Sequence, residues 1–408
     1  MGKLLMISLD ALADTDFMRL AALPNTSCFI KEAALVTGVM STMITNTYPV
    51  HASVITGQLP CQHGLISNYA QYLDTTNSPD GPLPAGTSHW ACDSRMLRAR
   101  TLWQAASQAG FTVASVMWPV TGYSRDINWN IPEAMAAPGS SQILTSLRTG
   151  SKLVQIGAFL RHRHHLSGIS QPGVDRFSTR AALDIIRRHR PDLALLHLTA
   201  YDSLCHHYGR DDARLAPVLE VMDEHLGMLL DAIDLDTTVL LLSDHAQLNV
   251  RETIDLTDWT QRVCPDIVSA PPSSIVIEQA GGSAFYTCKA PSQPIFDTLL
   301  KALQREPFFN RALTAEEMND SGYAHSNFGV CAKPTYAFGS HHEPANHGYP
   351  PDYQDYQVFY AARGPRIRSG ERLTGGSLLD IAPLAARILG VSMPDASGRI
   401  APGILDEQ

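Results

Sequence analysis

The sequence predicts an α/β protein: a doubly wound, mostly parallel sheet flanked by helices, with a smaller subdomain inserted late in the chain. Three observations carry this. Strand-length apolar runs alternate with helix-length segments. The runs are apolar at nearly every position rather than every second one, as strands covered on both faces require. Carboxylates and imidazoles stand at or near the ends of several runs, where open α/β sheets build their sites.

Lys3–Leu9 is the first such run and ends at Asp10. Val50–Thr56 follows a proline suited to a first helical turn (Pro49) and is closed by Gly57, so it reads as a helix. Leu102–Ala109 is a helix stopped by Gly110, and Phe111–Met117 is the next strand. Arg180–His189 reads as helix, Leu193–Thr199 as strand, Ala213–Ile233 as a long helix and Thr238–Leu242 as strand. Gln357–Ala361 is a late strand and Leu378–Leu389 a closing helix. Two stretches break this rhythm. Asn68–Arg98 is rich in Pro, Gly, Ser, Asn and Asp and reads as a long loop or lid. Glu252–Phe338 is irregular, with short β-like pieces at Ser274–Ile277 and Ala284–Lys289. The expected division is a catalytic core of 1–251 and 339–408, with 252–338 as an inserted cap.

An apolar content of 44% and a charged content of 17% describe an ordinary globular protein. The net charge of −9 argues against a nucleic-acid polymer as partner. It leaves an anionic small molecule open, because divalent cations would reverse the local sign. Seven cysteines, an odd number with no C-x-x-C pair, read as reduced thiols rather than a disulfide framework or thiolate zinc site. The first apolar run is too short for a signal segment, and none approaches the ~20 residues of a membrane span. The expected setting is therefore cytoplasmic, without a membrane partner. Oligomeric state is not legible. Arg161–His165, a run of Arg and His without carboxylates, reads as a solvated surface.

The residues with chemistry to offer fall in four places: Asp10; Asp202 and His206; Asp244 and His245; and His347. Asp202-x3-His206 would align both side chains on one helix face. Asp244-His245 directly follows a run that must be buried, and an unpartnered buried carboxylate is costly. Together these three Asp and three His suit two divalent cations. The segment Ile44–His51 offers hydroxyls at Thr45 and Thr47 just ahead of a helix start at Pro49, where anions are favoured. A neighbouring metal would lower the hydroxyl pKa and make it a nucleophile; Thr47 could equally be a plain N-cap. Asn68 could donate to a developing anionic oxygen, or be an ordinary turn residue.

These motifs resemble the alkaline phosphatase superfamily, and within it the type I phosphodiesterase/nucleotide pyrophosphatase family. The likeness rests on Ile7–Asp10, Thr47–Gly57, His63–Asn68, Trp118-Pro119, Asp202-x3-His206, Ser243–His245, His347–Tyr349 with Gly364-Pro365, and Leu379–Pro383 with Leu389-Gly390. It implies an alkaline-phosphatase-like core in which Thr47 forms a covalent phospho-threonine. It further implies that Asp202, His206 and His347 hold one metal, while Asp10, Thr47, Asp244 and His245 hold or approach the other. Asn68 would stabilise a non-bridging oxygen, and Tyr48 would stack on the substrate. The metals would be zinc, with manganese the alternative for nitrogen and oxygen ligands. The substrate would be a small phosphorylated molecule, a diester or pyrophosphate of a nucleotide or a related compound. Asn46, Val50, Cys205 and Pro350-Pro351 depart from the family pattern; they leave the metal set intact and bear on nucleotide specificity.

A sulfatase needs Cys or Ser where Thr47 stands. A phosphomonoesterase needs an arginine clamp for a dianion, whereas Asn68 is a neutral donor suited to a monoanionic diester. A phosphonoacetate hydrolase would share the threonine and metals and add carboxylate-gripping lysines, with Lys289 and Lys333 available in the insert. A metal-stabilised binding module would need no nucleophile.

Overall fold

The computed structural model describes residues 2–69, 90–265, 275–288 and 293–406. Residues 70–89 of the expected lid lie outside the described residues, as do Ser274 and Lys289 at the ends of the two expected β pieces. Fifteen strands are described: β1 (Lys3–Leu9), β2 (Ala34–Val39), β3 (Val113–Val116), β4 (Trp129–Ile131), β5 (Leu193–Leu198), β6 (Thr237–Leu242), β7 (Leu248–Ile254), β8 (Val276–Gln279), β9 (Ser283–Thr287), β10 (Phe309–Ala312), β11 (Phe328–Ala332), β12 (Thr335–Phe338), β13 (Ala345–Asn346), β14 (Val358–Arg363) and β15 (Arg372–Thr374).

Eight of them form the main sheet in the order β15-β2-β14-β6-β1-β5-β3-β4. β14 runs antiparallel to β2 and β6, and the other pairings are parallel. Pairing is regular at the centre, with Ile7 opposite both Leu196 and Leu241. Alternate residues of these strands enter two separate cores. Leu4, Met6, Leu193, Leu195, Leu240 and Leu242 pack under the helices Thr47–Thr56 and Ile381–Leu389. Leu5, Ile7, Leu9, Ala194, Leu196 and Leu241 pack under Gly173–His189 and Ala216–Leu230. Burial on both faces is why the strands read as unbroken apolar runs.

The expected elements form with shifted edges. The first catalytic-face helix starts at Thr47, not Val50, so Asn46 is its N-cap and Thr47 its first helical residue. The N-cap alternative for Thr47 is thus corrected. The run from Ala213 opens as a 3₁₀ turn before Ala216–Leu230 begins, with Pro217 in its first turn. No helix among the described residues is long and apolar enough to cross a membrane.

Residues 276–332 supply a four-stranded antiparallel sheet, β10-β11-β9-β8, while β7 pairs with β12 and β13. Their core includes Phe285, Tyr286, Tyr323 and Val330, and it also takes in Met43, Ile44, Tyr349 and Tyr356 from segments beside Thr47 and His347. Contact with the His347 segment is very close. The Gly282 N–H donates to the His347 carbonyl (2.7 Å), and a Cβ on Gly348 would lie 1.7 Å from the Ala280 carbonyl oxygen. With φ at +82° as well, position 348 admits only glycine.

Helix Thr47–Thr56 ends on Gly57, whose φ of +69° is the left-handed C-cap geometry. A Cβ there would lie 2.6 Å from that of Ala396. Gly57→Ala combines left-handed strain with overpacking and should destabilise the fold by about 2–4 kcal/mol. Urea unfolding checks this, and an unchanged midpoint would show that the turn relaxes freely.

Candidate active site

The sheet delivers the site directly. β1, β5 and β6 are adjacent, and Asp10, His197 with Asp202, and Asp244-His245 lie at or just beyond their carboxyl ends. Asp10 is nearly fully buried, Asp244 and His245 fully. Asp202 and His206 sit on the helix Ala200–Tyr208, one turn apart, with Oδ1 to Nε2 at 3.4 Å, as the spacing predicts. His347 arrives from the segment after β13, and its ring is 4.5 Å from that of His245.

Ligand atoms of Asp10, Asp244 and His245 lie within 4.8 Å of one another, and so do those of Asp202, His245 and His347. His245 thus belongs to both groups, where the resemblance assigns it to one. His206 stands beside the second group rather than in its tightest triplet. Its Nε2 faces Asp202, its Nδ1 lies 2.9 Å from Glu343 Oε2, and its ring is 5.1 Å from that of His347.

Electrostatics favour a cation. No lysine or arginine pairs with Asp10, Asp202 or Asp244 among the described residues. Asp10 Oδ1 and Asp244 Oδ2 are buried without a hydrogen-bond partner. Burial, and then the charge of Asp244, holds the Asp10 carboxyl well above its usual range, and burial likewise raises Asp244. Burial depresses His245 to about 4 and pushes His347 well down, leaving both imidazoles neutral and able to coordinate. Oxygen and nitrogen donors with unsatisfied carboxylates fit divalent ions.

Thr47 Oγ1 is 3.2 Å from His245 Nε2. The Asn46 N-cap side chain does not cap its helix; its Oδ1 meets His347 Nδ1 at 2.9 Å. Asn68 Oδ1 accepts from the Tyr48 N–H at 2.9 Å, which leaves its amide nitrogen as the end able to donate to a ligand. Tyr48 is only 1% exposed, packed edge-on to Trp90, with its hydroxyl donating to the Glu133 carbonyl. The ring presents no open face here, so its substrate-stacking role is not carried forward.

Three further residues support the group. His197 bridges two carboxylates, with Nε2 3.2 Å from Asp10 Oδ2 and Nδ1 3.0 Å from Glu133 Oε2. Burial alone would depress His197, but Asp10 and Glu133 outweigh it and hold the pKa well above the ordinary value. His51 packs against it at 4.4 Å and faces the Thr47 carbonyl (2.8 Å) and Ser8 Oγ (3.0 Å). With Asp244, His51 and His197 make a third close cluster, but their ring nitrogens already face protein oxygens, so they act as outer support. His197 had a visible signal: a lone imidazole inside Leu193–Leu198, five residues before Asp202. Glu133 had none, since it follows β4 in an irregular connection.

The model of the type I phosphodiesterase/nucleotide pyrophosphatase family matches residues 4–320. The chain is 24% identical over 416 residues to mouse bis(5'-adenosyl)-triphosphatase enpp4, covering 98% of this chain and 80% of the relative. It is 21% identical over 370 residues to a venom phosphodiesterase of Macrovipera lebetinus, covering 85% of this chain and 38% of that protein. Murine ectonucleotide pyrophosphatase/phosphodiesterase 5 superposes with a TM-score of 0.71 at 17% identity, over 99% of this chain and 100% of the other. An inactive variant of that protein, in complex with AMP, gives 0.70 at 17% identity, over 98% and 97%. These similarities establish the alkaline-phosphatase-like fold, and since the family model spans well over half of the chain, the protein belongs to the type I phosphodiesterase/nucleotide pyrophosphatase family.

Proposed function

We propose that this hydrolase cleaves phosphodiester or pyrophosphate bonds of small nucleotide-like molecules through a covalent phospho-threonine at Thr47. The observation that carries this is the Thr47 hydroxyl, at the start of a buried helix and 3.2 Å from His245, the residue shared by both donor groups. Asp10, Asp244 and His245 would hold one divalent ion, and Asp202, His347 and His206 the other, with zinc preferred and manganese the alternative. Bound there, the ions would supply positive charge that acidifies the Thr47 hydroxyl and offsets the phosphoryl oxygens.

The chain's own residues do the rest. The helix start fixes Thr47 and favours an anion in front of it. Thr47 Oγ gives up its proton to solvent and attacks phosphorus as the leaving oxygen departs on the opposite side and is protonated by solvent; water then breaks the Thr47–phosphate bond, leaving phosphate on the departing product and restoring the Thr47 hydroxyl. The Tyr48 N–H turns the Asn68 amide so that its nitrogen can donate to a non-bridging oxygen. The relatives act on nucleotides by name, which supports that substrate class for this chain.

Thr47→Ala should lower bis-p-nitrophenyl phosphate hydrolysis by about three orders of magnitude or more, with metal content by mass spectrometry little changed. Substantial turnover by metal-loaded Thr47→Ala would rule out the covalent route. Asn68→Ala should cost ~10²–10³ in kcat, the range for losing one donor to a developing anion, and an effect confined to KM would instead make Asn68 a binding residue.

Burial raises the Asp10 and Asp244 carboxyls, Asp244 to about 7, so coordination there competes with protonation, while His245 and His347 are already neutral. Cation binding should therefore release protons and tighten as pH rises from about 5 to 8. Titration calorimetry in buffers of different ionisation heat measures this; affinity that is flat or weakens with pH would mean another ligand set.

A further inference from the structure

Twelve large hydrophobic side chains are markedly exposed among the described residues, and seven of them fall between 143 and 169. Helix Lys152–His162 turns Leu153 (85% exposed), Ile156, Phe159 and Leu160 outward. At 3.6 residues per turn these four occupy an arc of about 120°. Gln155 and Ala158 are buried on the opposite side, so the helix is amphipathic with its apolar stripe facing outward. The preceding helix, Gln142–Thr149, packs beside it and adds Ile143 and Leu144.

The charge around this stripe opposes that of the whole protein. Residues 142–190 carry nine Lys and Arg against two Asp, in a chain of net charge −9. Neither acid offsets the surface charge broadly. Asp175 is buried and accepts from the Thr199 and Ala200 N–H groups. Asp184 is engaged with Arg161 and His162. Arg148 and Lys152 on these two helices, Arg163 just after them and Arg188, which lines the same groove as Leu153, are exposed. Beside the stripe runs a groove of about 650 Å³, with Trp129, Leu153 and Ile185 supplying apolar surface and Lys152 and Arg188 a cationic lip.

We propose that helices Gln142–Thr149 and Lys152–His162 form a docking face for an anionic lipid bilayer. Outward Leu, Ile and Phe flanked by Lys and Arg is the composition of helices that lie in a membrane interface. Apolar side chains enter the boundary of the acyl region while the flanking cations meet lipid phosphates. A second copy of the chain fits poorly, because two such faces would oppose cationic rims. Docking of this kind needs no spanning helix. Neither the metal centre nor the proposed hydrolysis enters the inference.

Flotation of the full chain with vesicles tests it. Binding is expected to vesicles of equal parts phosphatidylglycerol and phosphatidylcholine, not to phosphatidylcholine alone, and should weaken with salt. The double variant Leu153→Ser, Phe159→Ser should lose binding. Each of Lys152→Gln and Arg163→Gln should weaken it about fivefold. All four side chains are exposed, so thermal unfolding should be unchanged and confirms folded variants. No binding to the anionic vesicles, or binding insensitive to these variants, overturns the proposal. So does light scattering that shows a dimer dissociated by the Leu153→Ser, Phe159→Ser variant, which would make the face a self-interface.

Discussion

The arrangement rests on the cost of burying carboxylates. Asp10 and Asp244 stand at the ends of neighbouring strands, removed from water, each with an oxygen that no protein group satisfies. An uncompensated buried charge costs several kcal/mol, so such residues persist only where something offsets it. Imidazoles take up part of that load: His197 and His245 beside Asp10, His51 and His245 beside Asp244. The remaining deficit is the physical basis for a cation, and it explains why so many histidines converge where, among the described residues, no lysine does.

Around this deficit the fold concentrates rigid elements. The donors come from adjacent sheet strands, a helix start and two tightly packed segments rather than from a single loop. Such supports hold reacting groups to the tolerance that in-line chemistry demands. The Glu133–His197–Asp10 chain extends the same logic outward: it ties a connection after β4 to the end of β1 and fixes one oxygen of Asp10 so that the other faces His245. Gly281 and Gly282, pressed against the His347 segment, do the same from the turn between β8 and β9.

Much of this was legible in the sequence, for identifiable reasons. β1, β5 and β6 announced themselves because double-sided burial leaves few polar positions in a strand. Asp244-His245 was legible because it follows such a run directly. The start of helix Thr47–Thr56 was misplaced because Pro49 looks like a first helical residue, whereas it occupies the third position. That His245 also lies within reach of Asp202 and His347 could not be read from spacing, since it depends on how β6 and the His347 segment approach one another. Tyr48 misled for a different reason: an aromatic beside a nucleophile invites a ligand, but here the ring completes the apolar core. Glu133 and Glu343 were invisible because acidic residues in irregular segments usually face water. The outward stripe of Lys152–His162 was missed because helical periodicity reports which residues share a face, not whether that face points inward.

The distance along the chain between Asp10 and His347 has a temporal consequence. Synthesis proceeds at ~5–20 residues per second, with amino-terminal portions able to begin folding first. The strand carrying Asp10 therefore exists long before His347 is made, and even Asp244 appears only past the midpoint. A nascent sheet must carry its buried carboxylates protonated or leave their strand ends open until the later histidines arrive. Closure of the donor set thus waits for His347, and so does the sheet itself, because β14, which joins β2 to β6, is made later still.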